Sequence, residues 1–251
     1  MLIKVCDDMG IISITGALGS GKSTVAKNIC AKTGFSYFST GTIQRKIAEE
    51  RGIDTLQLNQ LCGSDKSVDD LIDGRLRQMN VDGTTDIVLD SRLAWFFVGN
   101  SFKVYLTALP SVAADRVFHD DKRVGEPTGD QLEVMGNLLE RQRIENERFK
   151  RFYNADCFDL NNFDIVVDSS KSTVDDIADL IISEFDASLK TGSYTPTRWI
   201  SPLLPLPAEG CSADGPVALS FTGDAYFVHS GLDILREAVA NGISLIKYTL
   251  L

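Results

Sequence analysis

The segment Gly16–Ser23 has the sequence GALGSGKS, which fits the pattern G-x-x-x-x-G-K-[ST] of a phosphate-binding loop. The apolar run Ile11–Ile14 before it predicts a short buried strand, and Ser23–Thr33 after it has apolar residues at helical spacing. A strand, a glycine-rich turn and a helix start gather free backbone N–H groups around one point, which suits a chain of phosphates. A glycine-rich surface turn is the alternative, but this context favours phosphate binding. We therefore expect the chain to bind a nucleoside triphosphate.

The motif assigns a role to each of its residues. The Lys22 ammonium is expected to reach the β- and γ-phosphates of ATP, and the Ser23 hydroxyl to be a ligand of Mg²⁺. Asp90 ends an apolar run and is a second candidate for the metal, through a bound water, with a helix or turn cap as the alternative. The other expected contacts to ATP in the loop are Gly16, Gly19, Ser20, Gly21 and Thr24.

Composition limits the classes to which the chain can belong. With 251 residues, 43 % of them hydrophobic, it can bury one substantial core and a small second unit. No apolar stretch approaches a membrane span and no leader pattern is present, so we expect a cytoplasmic protein without a membrane partner. The net charge of −10 argues against a nucleic-acid partner, because phosphate contacts need a basic surface.

Cysteines and histidines give no sign of a metal centre. The five cysteines are scattered and never form C-x-x-C, which favours reduced thiols over a zinc site. An acidic chain that binds nucleotides must gather its positive charge locally, and arginines cluster between positions 116 and 151. They are Arg116, Arg123, Arg141, Arg143, Arg148 and Arg151.

Apolar runs alternate with helical patterns from residue 11 to about 186, which predicts an α/β fold with a parallel sheet flanked by helices. Beyond the strand before the phosphate loop, the predicted buried strands include 87–89, 104–106 and 165–167. The predicted helices are 42–50, 56–61 and 68–79, which form a small insertion, and then 130–152 and 173–185.

The composition changes after residue 186. Residues 187–216 are polar, and five of the seven prolines lie between Pro196 and Pro216, which predicts an extended connector. Beyond it, Thr222-Gly223-Asp224 is typical of a hairpin turn, followed by a helix over 232–240 and a last strand over 244–250. The expected domains are 1–186, with the phosphate loop, and 217–251, a small α+β unit.

Several stretches resemble the cytidylate kinases, especially their shorter forms, over about 11–185. Ser13–Lys27 resembles the opening strand and loop of that family. Phe38–Arg45 resembles its monophosphate-binding segment, which ends in a phosphate-holding arginine. Ile87–Trp95, with the sequence IVLDSRLAW, is similar to the family's V-L-E-G-R-L-A, and 166–170 to its closing strand.

The resemblance implies that Arg45 and Arg92 hold the acceptor phosphate and that Arg116 lies beside ATP. Arg45 and Arg92 each follow a predicted strand and turn, at the edge of the sheet where ligands of open α/β folds collect. Ordinary surface arginines are the alternative for both positions.

Arg141, Glu145 and Arg148 match the R-x-x-x-[DE]-x-x-R spacing of the family's lid-side helix. Positions i, i+4 and i+7 share one helical face, so both guanidiniums can point at one anion. Glu145 would orient a guanidinium or accept from a sugar hydroxyl of the substrate. A solvated helix with ion pairs is the alternative. We take Arg141 and Arg148, with Lys22, as the catalytic candidates.

The chain departs from the family in the lid. Ala113 and Asp120 stand where arginines would be expected, and Ser91 replaces a glycine. Acidic groups at Asp120 and Asp121 are unfavourable beside triphosphate oxygens, although Arg123 could substitute for a missing arginine. These departures put the rate in doubt more than ATP binding.

The resemblance implies ATP-dependent phosphoryl transfer to a nucleoside monophosphate, with CMP or dCMP as the expected acceptor. No general base is needed, because the acceptor phosphate is largely ionised near neutral pH. One alternative is a regulatory nucleotide-binding protein of kinase fold, and another is a small-molecule kinase with a different acceptor.

The last unit faintly resembles the ParB-like fold of partition proteins and sulfiredoxin. Those folds carry an acidic-Gly-His-Arg signature where the hairpin meets the helix, whereas this chain has Val228–Leu232 there, with the sequence VHSGL. We therefore expect a capping or interaction module, suited to a protein partner or to self-association.

Overall fold

The computed structural model describes residues 10–53, 57–58, 61, 67–81, 85–120 and 130–251. Its strands are β1 Ile11–Gly16, β2 Ser36–Ser39, β3 Ile87–Asp90, β4 Phe102–Thr107, β5 Ile165–Asp168, β6 Thr197–Ile200, β7 Leu206–Pro207, β8 Ala218–Thr222, β9 Ala225–Ser230, β10 Ile246–Lys247 and β11 Thr249–Leu250. One sheet has the order β10-β6-β5-β4-β1-β3-β2, and a second has the order β11-β8-β9-β7. In the first sheet, strands β1 to β6 all pair in parallel, and β10 pairs antiparallel with β6 at the edge.

Helices cover both faces of the larger sheet. Their bounds are α1 Lys22–Thr33, α2 Thr40–Glu50, α3 Ser67–Val81, α4 Ala94–Phe97, α5 Pro110–Phe118, α6 Gln131–Tyr153, α7 Val174–Thr191 and α8 Leu232–Ala240. Apolar residues of α1 and α7 pack with β1, β4 and β5 on one face. Those of α2, α3 and the end of α6 pack on the other. The predicted parallel α/β architecture is therefore confirmed.

Local capping explains where the long helices begin and end. The Asp130 carboxylate accepts from the Glu133 N–H at 2.9 Å and starts α6. The Thr173 hydroxyl does the same for the Asp176 N–H at 3.1 Å and starts α7. Helix α7 continues six residues beyond the predicted end at 185, to Thr191. Gly192 then closes the helix in the left-handed conformation, with a φ of 65°.

The helical insertion agrees with the sequence where the structure describes it. The predicted helix 42–50 is α2, which begins two residues earlier because the Ser39 hydroxyl caps it by accepting from the Thr42 N–H. The predicted helix 68–79 is α3. Residues 56, 59 and 60 of the predicted helix 56–61 lie outside the described residues, and residues 57, 58 and 61 are helical.

The expected connector at 187–216 differs from the structure in its first half. Residues 187–191 continue α7, and Thr197–Ile200 form β6, which pairs in parallel with β5 in the larger sheet. Ile200 is fully buried, because it packs with the core of the C-terminal unit. Proline density therefore misled the prediction, since the prolines border the strand instead of interrupting it. The assignment of separate domains remains a prediction.

The predicted hairpin is confirmed, but the predicted last strand is two strands. β8 and β9 pair antiparallel around Gly223 and Asp224. Beyond α8, β10 pairs with β6 in the larger sheet, whereas β11 pairs with β8 in the smaller one. Tyr248 lies between them and is buried, so the chain passes from one sheet to the other at this residue.

Candidate active site

The phosphate loop connects β1 to α1, as the sequence predicts, and glycine is required at two of its positions. Gly16 has a φ of 144°, and a Cβ there would lie 2.1 Å from the Leu106 carbonyl oxygen. Gly21 has a φ of 82° and directly precedes α1. A helix N-terminus that follows such a loop is a favourable position for an anion, because its first N–H groups and its dipole attract negative charge.

Three side chains form hydrogen bonds to the backbone of this loop. The Lys22 ammonium donates to the Ala17 carbonyl at 3.2 Å, and the Ser20 hydroxyl donates to the same oxygen at 2.8 Å. The Leu18 N–H donates to the Gln142 side-chain oxygen of α6 at 3.3 Å. Gln142 adjoins Arg141, so the loop and the arginine-bearing helix are tied directly to each other.

Ser23 and Asp90, the two residues predicted to hold Mg²⁺, lie in contact. The Ser23 hydroxyl donates to the Asp90 carboxylate at 2.5 Å, and Asp90 is almost fully buried at the end of β3. Oxygen donors with one carboxylate fit Mg²⁺, which keeps several waters and binds substrate phosphates at the same time. The residues present therefore fit the metal, although its binding here remains a prediction.

Tyr37 is a further member of this group that the sequence analysis missed. Its hydroxyl donates to the same Asp90 oxygen at 2.8 Å. Burial raises the pKa of Tyr37, and the Asp90 charge raises it further, so the hydroxyl stays protonated and remains a donor. The pairing of β2 with β3 brings Tyr37 to Asp90. The signal available in the sequence was the position of Tyr37 immediately before the motif Phe38–Arg45, since the pairing of the strands is visible in the structure alone.

A second group joins two arginines through one carboxylate. Glu145 accepts a hydrogen bond from the Arg141 Nε at 3.1 Å through Oε1 and forms an ion pair with the Arg92 Nε at 3.2 Å through Oε2, and only 8 % of the residue is exposed. Burial raises the pKa of the Glu145 carboxyl, but the guanidiniums around it lower the pKa by more, so it lies below its usual range. Arg92 also donates to the Gly16 carbonyl. The predicted orienting role of Glu145 thus has a geometric basis.

Two further predicted arginines, Arg148 and Arg45, differ from this pair in their exposure. Arg148 is buried, with its guanidinium 5.3 Å from the centre of the Phe149 ring, so it lies behind Glu145 and not at an open surface. Arg45 is exposed on α2 and donates to the Thr42 hydroxyl at 3.2 Å. Among the described residues, Arg45 is not part of the group around Glu145.

A cavity of about 290 Å³ lies beside the phosphate loop. Arg116 forms one wall, and its guanidinium donates to the Ser169 hydroxyl at 3.0 Å and to the Ser169 carbonyl at 2.7 Å. The Ser169 hydroxyl in turn lies 2.9 Å from the Ser20 carbonyl. Helix α5, the end of β5 and the loop therefore surround one space. It is lined by Gly19, Gly21, Thr24, Arg116, Asp120 and Ser169, among others.

The two unusual lid positions have different surroundings. Ala113 is buried against the loop, where a Cβ on Gly19 would lie 2.9 Å from the Ala113 Cβ, so close packing requires small residues at both positions. Asp120 lines the cavity next to Arg116. Arg123 and Asp121 lie outside the described residues.

The cysteines and the helices give further limits. Cys30, Cys157 and Cys211 are free thiols, and Cys6 and Cys62 lie outside the described residues. Within the described ranges, no group of three or more His, Cys, Asp or Glu side chains could hold a metal ion. No helix in the same part of the chain is long and apolar enough to cross a bilayer.

Most of the chain is similar to known proteins of one family. The model of the cytidylate kinase-like family matches residues 11–171. The cytidylate kinase of Aeropyrum pernix is 36 % identical over 169 residues, which cover 67 % of this chain and 95 % of that protein. The cytidylate kinase of Sulfolobus acidocaldarius is 34 % identical over 173 residues, which cover 68 % of this chain and 91 % of that protein.

A solved structure supports the fold alone. An uncharacterized protein from Eubacterium ventriosum aligns with a TM-score of 0.55 and 16 % identity, over 71 % of this chain and 99 % of that one. The family match ends at residue 171, before α7, so the C-terminal unit lies outside it. The resemblance inferred from the motifs is confirmed, and the chain belongs to the cytidylate kinase-like family.

Proposed function

We propose that this protein transfers the γ-phosphoryl group of ATP to the phosphate of CMP, giving ADP and CDP. The observation that carries the proposal is the meeting of three features at one edge of the sheet. These are the phosphate loop, the contact of Ser23 with Asp90, and the pair of arginines held by Glu145. Membership of the cytidylate kinase-like family supports the reaction and disfavours a purely regulatory role.

On the donor side, the loop and the adjacent cavity offer places for the two ends of ATP. The N-terminus of α1 and Lys22 would hold the β- and γ-phosphates. The cavity walled by Arg116 would hold the rest of the nucleotide, since a guanidinium can stack on a base or pair with a phosphate. Mg²⁺, held at Ser23 and Asp90, would neutralise phosphate charge and orient the γ-phosphoryl group.

On the acceptor side, Arg92 and Arg141 are held close together by Glu145 with part of each side chain still open to solvent. We assign the CMP phosphate to this pair, with Arg45 reaching it from α2. A phosphate oxygen of CMP forms the new P–O bond, and the bond from the γ-phosphorus to the β–γ bridging oxygen breaks. ADP leaves with that electron pair, so no protein base is required. Catalysis is positioning, water exclusion and charge neutralisation.

A coupled ATP-consumption assay with CMP, dCMP, UMP, AMP and GMP in turn tests the proposal. We expect turnover with CMP or dCMP, reduced by about 100-fold or more in Lys22→Ala, since one preorganised charge contributes on this scale. Lys32→Ala is the matched control, because Lys32 lies near the other end of the same helix and pairs with Asp175 and Asp179 instead of facing the loop. Nucleotide binding without turnover would favour the regulatory alternative. Turnover confined to a different kind of acceptor would favour the small-molecule kinase.

A further inference from the structure

A second cavity, of about 260 Å³, lies between the kinase core and the C-terminal unit. Ala17 and Leu18 of the phosphate loop form part of its wall, and Leu138 of α6 forms another part. The C-terminal unit closes it with Phe221 of β8 and Tyr226 of β9. The cavity is therefore built from three parts of the fold that are far apart in sequence, and it is separate from the cavity beside Arg116.

The chemistry of the walls restricts what can occupy this space. None of its lining residues is charged, so it does not suit a phosphate or another ion. Five of its lining side chains are aromatic, beside five leucines and one methionine, and rings pack against rings in offset or edge-on arrangements. The aromatic lining residues are Tyr105, Phe158, Phe221, Tyr226 and Tyr248.

Gln142 of α6 lines the cavity and has hydrogen-bonding capacity left. The Gln142 side-chain oxygen accepts from the Leu18 N–H, but no acceptor for its amide N–H groups occurs among the described residues. The Thr107 and Tyr226 hydroxyls, by contrast, both donate to the Asp168 carboxylate, at 3.0 and 3.2 Å. Gln142 can thus donate to a ring nitrogen or carbonyl of a bound molecule.

The mouth of the cavity exposes apolar surface. Leu139, Phe158 and Phe221 line it and are 49 %, 44 % and 42 % exposed. Large apolar side chains that converge on one exposed opening mark a binding site more often than an ordinary surface. Since an apolar cavity of about 150 Å³ binds benzene, the larger volume here has room for a fused pair of rings.

We propose that this cavity is a binding site for an uncharged two-ring aromatic molecule that carries a hydrogen-bond acceptor. The ligand would lie between the C-terminal unit and the back of the phosphate loop, and its acceptor would face Gln142. The inference does not depend on the proposed reaction, because none of the residues assigned to ATP or CMP lines the cavity, although Ala17 and Leu18 belong to the same loop.

A ¹⁹F NMR titration with 6-fluoroquinoline tests the site in the full chain. We expect saturable binding with a Kd below about 1 mM, which is the scale for a compact ligand of this size. Leu139→Trp narrows the mouth from α6, and Phe221→Asp places a charge on the opposite wall. Each should weaken binding at least tenfold. Using both variants guards against misfolding of either one, and thermal unfolding checks each of them.

Matched controls come from exposed positions that lie outside the cavity. Leu132→Trp lies on α6 and Ile234→Asp on α8, both positions are exposed, and neither lines the cavity. The controls should leave the Kd within twofold of wild type, and saturating ATP with CMP should not displace the probe.

The inference would be overturned by an absence of saturable binding, by an equal loss of probe affinity in the controls, or by displacement of the probe by the nucleotides. Binding that weakens as protein concentration rises would also overturn it, because a second copy of the chain would then fill the cavity.

Discussion

At the scale of single residues, Glu145 determines how two of the candidate arginines lie. Its carboxylate is almost fully buried and contacts the guanidiniums of Arg92 and Arg141. The helical spacing of positions 141 and 145 could be predicted, because it follows from the sequence alone. The contact with Arg92 could not, because it depends on how α6 crosses the end of β3. The same crossing buries Arg148, which the sequence placed on an open face.

Replacing Glu145 by Gln should lower the free energy of unfolding by about 3 kcal/mol at pH 7, because it leaves buried positive charge uncompensated. Glu140→Gln is the matched control, since Glu140 pairs with Arg143 on the exposed side of the same helix, and we expect a much smaller loss of stability for it. Urea denaturation measures both. Similar losses in the two variants would contradict a special role for Glu145.

The pH dependence of this difference has a definite sign. The pKa of Glu145 is lower in the folded protein than its ordinary value of 4.5, so the ionised carboxylate stabilises the fold above that pH. Its contribution is lost as the pH falls through the lower, folded-state pKa. The stability gap between wild type and Glu145→Gln should therefore be constant from pH 7 to about 5 and shrink below pH 4.5. A gap that widens on acidification would show that the carboxylate is not stabilised by its arginines.

Tyr37 gives a second prediction at this scale. Tyr37→Phe removes the hydroxyl that donates to Asp90 and should raise the Mg²⁺ concentration for half-maximal turnover by about three- to tenfold. The maximal rate at saturating Mg²⁺ should change little. Tyr194→Phe is the control, because its hydroxyl bonds to Glu184 and Thr197, away from the phosphate loop. A lower maximal rate with unchanged Mg²⁺ dependence would remove Tyr37 from the metal site.

At the scale of elements, strands and helices whose pattern is local were predictable. β1, the phosphate loop and α1 follow from apolar spacing and glycine positions, and the β8–β9 hairpin follows from Thr222-Gly223-Asp224. β6 was not predictable in the same way, because it is short and its pairing with β5 depends on contacts that local sequence does not encode. For the same reason, the predicted last strand did not reveal that β10 pairs with β6 while β11 joins the other sheet.

The end of α5 carries a prediction of its own. Asp120 lines the cavity beside the phosphate loop, next to Arg116. Replacing it by Arg should therefore tighten ATP binding by about three- to tenfold through the change of local charge. Asp115→Arg is the charge-matched control, since Asp115 lies on the same helix but does not line the cavity. Calorimetric titration with ATP measures both variants. Equal tightening in the two would show that only net charge matters, and no change in Asp120→Arg would separate Asp120 from the triphosphate.

At the scale of the whole molecule, the C-terminal unit is bonded to the kinase core at the sheet edge that carries the site. The Asp224 carboxylate accepts from the Ser111 N–H in the first turn of α5 at 2.9 Å. Tyr226 donates to Asp168, whose other oxygen accepts from the Ser170 N–H at 2.8 Å. The neighbouring Ser169 holds Arg116. The C-terminal unit therefore supports residues 168–170, which position Arg116 at the wall of the cavity beside the phosphate loop. The unit does so although it lies beyond the family match.

Tyr226→Phe tests whether this support reaches the nucleotide. Losing the bond to Asp168 should loosen the segment at Ser169 and raise the KM for ATP about three- to tenfold, with the KM for CMP unchanged within twofold. Stability should fall by about 1 kcal/mol, as for one hydrogen bond. Ser220→Ala is the matched control, because it removes a bond to His229 within the same hairpin without touching Asp168. A Tyr226→Phe variant that loses stability but keeps the ATP KM would reduce the unit to a purely structural cap. Equal rises in both KM values would place its effect on the whole sheet edge instead of the donor side.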